Sequence, residues 1–119
     1  MRIFLAGASG VIGQRLVPLL VERGDVVAGM TRSPGKTALL GALGAEPVLC
    51  DVFDAEALSD AVLRFEPELV LHQLTDLPDD PAGLEEGRAS NARMRVIGTR
   101  NLVAAARARA DLVVSLRPP

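Results

Sequence analysis

Gly7, Gly10 and Gly13 recur at three-residue intervals in Gly7-Ala8-Ser9-Gly10-Val11-Ile12-Gly13, and nothing else in the chain limits its fold so tightly. An apolar run, Arg2 to Ala6, leads into this segment, and a stretch with helical periodicity leaves it. Each glycine has a physical reason to be there. Gly7 permits a tight turn out of a strand, Gly10 puts no side chain in the way of an approaching diphosphate, and Gly13 lets a helix pack close to the sheet. The free N–H groups and positive dipole end of that helix face the same corner. Three glycines in a short window also arise by chance, so the flanking strand and helix give the spacing its weight.

The rest of the chain alternates short β-branched runs with helical periods, the pattern of βαβ units around a parallel sheet. Strands are expected at Arg2–Ala6, Asp25–Met30, Glu46–Cys50 and Leu69–Leu74, with a fifth at Asp111–Leu116. Helices are expected at Val11–Arg23, with Leu16, Leu19 and Leu20 on its apolar positions, and at Lys36–Leu43. A third follows the N-cap Asp54 and stops before Pro67. Pro18 is a blemish in the first helix, where it removes a backbone bond. Thr75–Gly83 reads as an acidic, proline-containing loop, followed by a long helix from about Leu84 to Arg109. The expected class is α/β, three layers αβα, in one domain over residues 1–119.

At 119 residues, 49% hydrophobic and 24% charged, the chain can bury a modest core and is not of a disordered type. A net charge of −2 gives no reason to expect a nucleic acid or an anionic membrane as partner. No apolar run reaches the roughly 18 residues of a membrane span. The single cysteine, Cys50, cannot form an internal disulfide and reads as a small buried residue at a strand end. A cytoplasmic protein is expected.

The Gly-x-x-Gly-x-x-Gly spacing resembles that of the short-chain dehydrogenase/reductase superfamily, in particular its extended and atypical NAD-dependent epimerase/dehydratase branch. Other segments fall where that family has its motifs. Asp51-Val52 matches an Asp-hydrophobic pair that contacts adenine. Val70-Leu71-His72-Gln73-Leu74-Thr75 matches the end of strand 4, which lines the cofactor near its riboses. Asn91 and Gly98-Thr99-Arg100-Asn101-Leu102 match a pattern on the following helix. The resemblance implies a Rossmann-type sheet in the order 3-2-1-4-5, truncated before strands 6 and 7. It also implies a dinucleotide site of Gly7, Ser9, Gly10, Val11, Ile12, Gly13, Thr31, Arg32, Asp51, Val52, His72, Gln73 and Leu74.

Bland alternatives stand beside these roles. Asp51 could simply begin a turn. His72 is the only histidine, with no Cys, Glu or second His at ligand spacing. That favours a position beside the cofactor, or a half-buried histidine, over a metal ligand. Gly98 would serve close packing against the sheet, and Asn101 could be an anchor or a surface residue. At the end of strand 2, Gly29-Met30-Thr31-Arg32-Ser33 holds no carboxylate for a ribose 2′-hydroxyl. Arg32 offers a planar fork for a 2′-phosphate, aided by Thr31 and Ser33, so NADP is expected over NAD.

The family's proton step needs a Tyr with a Lys four residues on, and a Ser or Thr on strand 5. This chain has no tyrosine, and its only lysine is Lys36. Ser115 lies near the strand 5 hydroxyl but lacks those partners. The chain is therefore expected to be the NAD(P)-binding half of an epimerase/dehydratase-type oxidoreductase, binding the dinucleotide without turning over a substrate by itself. The alternative is a non-catalytic, NADP-binding redox sensor or regulator. Strand 5 would be an exposed edge through which two copies could pair. The substrate of a full-length parent is not readable; the acidic loop Asp76–Pro81 is the one candidate for a substrate-facing piece, and its acidity could equally be plain solvation.

Overall fold

Side chains in Arg2–Ala6 alternate between two faces of a strand, and from Ile3 onward all of them are buried. A strand covered on both sides belongs at the centre of a layered structure. The computed structural model, which describes residues 1–73, 94–106 and 112–115, has it there. The order is β1 (Arg2–Ala6), α1 (Val11–Glu22), β2 (Val26–Thr31), α2 (Thr37–Ala42), β3 (Glu46–Leu49), α3 (Ala55–Phe65) and β4 (Leu69–His72). A π-helical turn, Met94–Gly98, then runs into α4 (Thr99–Ala106), and β5 spans Leu112–Ser115. The five strands form one sheet in the order β3-β2-β1-β4-β5, and every pair is parallel.

The period of two sorts the core into two layers. Phe4, Ala6, Ala28, Met30 and Val70 pack under Leu58, Val62 and Phe65 of α3 and Leu102 and Ala105 of α4. On the opposite face Ile3, Leu5, Val27 and Leu71 pack under Val17 of α1 and Leu40 of α2. Arg2 closes one end of the first layer. Its guanidinium donates twice to the Phe65 carbonyl, at 3.0 and 2.7 Å, and lies 4.3 Å from the Phe65 ring centroid.

Several local expectations shift. Helix α1 runs unbroken through Pro18, which sits on the solvent side, where water can take the carbonyl its missing N–H would have bonded. Leu19 is 62% exposed, because the buried stripe is Gly13 and Val17 flanked by Leu16, Leu20 and Val21. Strand β2 continues one residue further than expected, to Thr31. Of the helix expected from about Leu84 to Arg109, the described residues are 94–106, where a wide π turn precedes regular helix from Thr99 to Ala106. Gly98 closes that turn in a buried position.

Pro47 lies in β3, the sheet's outer strand, opposite Gly29. The Cys50 N–H points inward to the Thr31 carbonyl (3.0 Å), so by alternation the Pro47 nitrogen points outward. Cys50 is buried at the end of this strand, and burial pushes its thiol pKa up, with the negative charges of Asp54 and Asp51 adding to the effect. Alkylation of Cys50 in the native chain at neutral pH is expected to be slower than in the denatured chain by at least an order of magnitude. Equal rates in a timed labelling assay would contradict this burial.

Candidate functional site

The carboxyl ends of the strands meet along one rim. Register sets Ala6 beside Met30 on one side and beside His72 on the other, and His72 beside Ser115. The chain leaves β1 for β2 in one direction and returns at β4 in the other. The mouth between β1 and β4 is thus the switch point at which open parallel sheets take ligands. Beyond Ala6, Gly7 turns with φ of 83°, in left-handed space suited to glycine. The Gly10 N–H donates to the Gly7 carbonyl (3.2 Å), and the Gln14 N–H begins the α1 ladder on the Gly10 carbonyl (2.9 Å).

The N–H groups of Val11, Ile12 and Gly13 precede the first rung of that ladder. Gly10, as N-cap, supplies no side chain to receive them, and the first turn has no acidic residue. The positive end of a twelve-residue helix is thus left for an outside anion. Val11 and Ile12 are 75% and 47% exposed at this mouth.

Gly10 and Gly13 differ in what demands them. A Cβ on Gly13 would lie 2.4 Å from the Gly7 carbonyl oxygen and 2.6 Å from that of Ala8, so the turn after β1 and the helix meet in backbone contact there. Gly10 is exposed and has ordinary extended backbone angles, φ −75° and ψ 174°. Its added Cβ would make only an ordinary 3.4 Å contact. Neither conformation nor internal packing calls for glycine at position 10.

Hydrogen bonds hold the turn from the side. Ser9 Oγ and Thr31 Oγ1 are 2.9 Å apart, Gln14 Nε2 donates to the Ser9 carbonyl (2.7 Å), and the Ala8 N–H donates to the Met30 carbonyl (3.1 Å). Thr31 is buried, whereas Arg32 is exposed just beyond the end of β2. Asp51 is exposed after β3 and receives the Phe53 N–H on Oδ1 at 3.0 Å, forming an Asx turn. The Val52 side chain is buried in the core, and its carbonyl accepts from Asn101 Nδ2 at 3.0 Å. Asn101 is therefore an anchor between α4 and the loop after β3.

His72, at the end of β4, is buried with Nε2 2.8 Å from Thr99 Oγ1. Gln73 is buried too, and its N–H extends the pairing to the Ala6 carbonyl (2.8 Å). Leu74, Asn91 and Asp76–Pro81 lie outside the described residues. Ser115 is placed only by its backbone, opposite His72. Gln14 was missed by the sequence reading, though a polar residue one turn into α1, beside the glycines, is the signal that could have found it. Among the described residues, no three His, Cys, Asp or Glu side chains group as metal ligands would.

The sequence matches the model of the NAD dependent epimerase/dehydratase family over residues 3–116. The chain belongs to this family. It is 42% identical over 111 residues to a 3-diazoavenalumate denitrifying reductase of a Streptomyces species, covering 91% of this chain and 34% of that protein. Its fold matches a short-chain dehydrogenase/reductase superfamily protein from Agrobacterium tumefaciens with bound NAD at a TM-score of 0.71. That pair is 29% identical, over 97% of this chain and 32% of the other. Yeast methylglyoxal/isovaleraldehyde reductase complexed with NADPH shares the fold at a TM-score of 0.77 and 24% identity, over 97% of this chain and 36% of that one.

The Rossmann-type arrangement is thus shared with the two solved structures, and the chain spans about a third of each of the three proteins: 34%, 32% and 36%. Among the described residues no helix is long and apolar enough to cross a membrane.

Proposed function

We propose that residues 1–119 form one NAD(P)-binding unit whose preferred ligand is NADP, serving a reaction that moves hydride to or from a small-molecule carbonyl. The observation that carries this reading is Gly10, a bare and exposed backbone position that the fold itself does not require. The residues fit such a ligand: the amides of Val11, Ile12 and Gly13 would take the diphosphate, and Arg32 a 2′-phosphate. Asp51 would face the adenine end, and His72 and Gln73 the end beside β4. When bound, the nicotinamide supplies the hydride chemistry.

A chain without tyrosine, and with Lys36 as its only lysine, has no phenol–ammonium pair to deliver the accompanying proton. This chain by itself therefore binds and orients the dinucleotide without turnover. A second reading is a non-catalytic, NADP-binding redox sensor or regulator in the cytoplasm. Self-pairing along β5, the outer strand of the described sheet opposite β3, would make such a unit a homodimer.

Calorimetric titration tests the reading. NADPH is expected to bind in the micromolar range and more tightly than NADH. Arg32→Ala should cost NADPH on the order of tenfold in affinity while leaving NADH unmoved, the loss of one charge-assisted contact. A wild-type chain that bound neither cofactor would overturn the proposal.

A further inference from the structure

Thr31 joins two parts of the site that the backbone keeps separate. It closes β2, is 4% exposed, and has its own carbonyl held by the Cys50 N–H at 3.0 Å. Its hydroxyl receives the Ser33 N–H at 3.1 Å and stands 2.9 Å from the hydroxyl of Ser9. Ser9 lies in the glycine turn between Gly7 and Gly10, and its own carbonyl is gripped by Gln14 at 2.7 Å. Ser33 follows Arg32 in the loop between β2 and α2. One buried oxygen therefore touches both the turn that faces the diphosphate and the loop that carries the only arginine at the end of β2.

We infer that Thr31 is a positioning residue for cofactor discrimination, setting the Arg32 loop at a fixed distance from the diphosphate turn without touching the ligand itself. The inference rests on the proposed use of Arg32 for a 2′-phosphate. Its chemistry follows from counting donors. A hydroxyl has one proton and two lone pairs. With the Ser33 N–H on one lone pair, Thr31 can give its proton to Ser9 Oγ. In that arrangement the Ser9 proton is left for an anionic ligand, which needs donors. Ser33 N–H, Thr31 O–H and Ser9 O–H form a chain in which each bond polarises the next. A diphosphate on the turn would tighten that chain and draw the Arg32 loop toward it, so the two charged groups of one ligand are read together. Arg32 alone, on a loop not tied to the turn, would lose much of this advantage to side-chain and loop entropy.

The test compares NADPH and NADH affinities by calorimetry for the wild-type chain, Thr31→Val, Thr31→Ser and Arg32→Ala, with a thermal melt of each. Valine matches threonine in shape and lacks the hydroxyl, whereas serine keeps it. Thr31→Val is expected to cut the NADPH-over-NADH ratio on the order of tenfold, mainly through weaker NADPH binding, and Thr31→Ser to restore it. Three results would overturn the inference. If Thr31→Val weakens both ligands equally, the hydroxyl has only a structural role. If it leaves the ratio unchanged while Arg32→Ala abolishes it, the reading of Arg32 stands and that of Thr31 falls. If the wild-type chain shows no preference for NADPH, both fall together. Should Thr31→Val fail to melt cooperatively, Ser9→Ala breaks the same chain from the other end, and an unchanged ratio in that variant is equally decisive.

Discussion

Replacing Gly13 by alanine is expected to destabilise the chain by about 3 kcal/mol, at the upper end of what overpacking costs. The added methyl would stand 2.4 Å from one backbone oxygen and 2.6 Å from another. No rotamer can relieve this, because a Cβ has none and the neighbours are main chain. Either α1 moves away from the turn or the turn opens, and both disturb the packing of Val17 against Ile3 and Leu5. Domains of this size have only about 5–15 kcal/mol in hand, so the loss should be plain in urea or thermal denaturation followed by circular dichroism. A midpoint within two or so degrees of wild type, against the roughly ten expected, would mean that helix and turn do not meet as described.

Gly10→Ala is expected to do the reverse. Its backbone angles suit alanine, its Cβ would make an ordinary contact, and the unfolded chain loses some freedom. Stability should stay level or rise by about 0.5 kcal/mol. Dinucleotide affinity should fall on the order of a hundredfold, because the methyl projects from an exposed position in the turn where a diphosphate would meet the helix amides. Calorimetry on the melted and refolded variants separates the two effects. If Gly10→Ala bound NADPH as wild type does, the diphosphate would have to lie elsewhere, and the Gly7–Gly13 turn would be only a packing device.

The parts of this arrangement legible in the sequence are those set by periodicity and by glycine. Arg2–Ala6 could be placed to the residue because it is a short apolar run that ends at the Gly7 turn. The parallel sheet followed from the regular alternation of strand and helix, whereas the order of its strands came from the resemblance to the family. What could not be read depends on contacts between distant segments. Leu19 has the composition of a core residue, yet the rotation of α1, set by Gly13 against the strand, turns it to solvent. The Thr31–Ser9 contact spans 22 positions, and Asn101 reaches back 49 to Val52. No local pattern marks such pairs. The π turn before Thr99 is also unmarked, since Met94–Gly98 has no composition that favours five-residue over four-residue ladders.

The proline in β3 bears on how the chain behaves when concentrated. Along that rim a second copy would meet the carbonyl of Pro47 but no donor beside it, leaving Leu49 to offer a single N–H. A docking strand would be left with gaps in its ladder, so growth of ribbons or fibrils from this side is checked at its first step. Pairing of copies through this rim is therefore disfavoured.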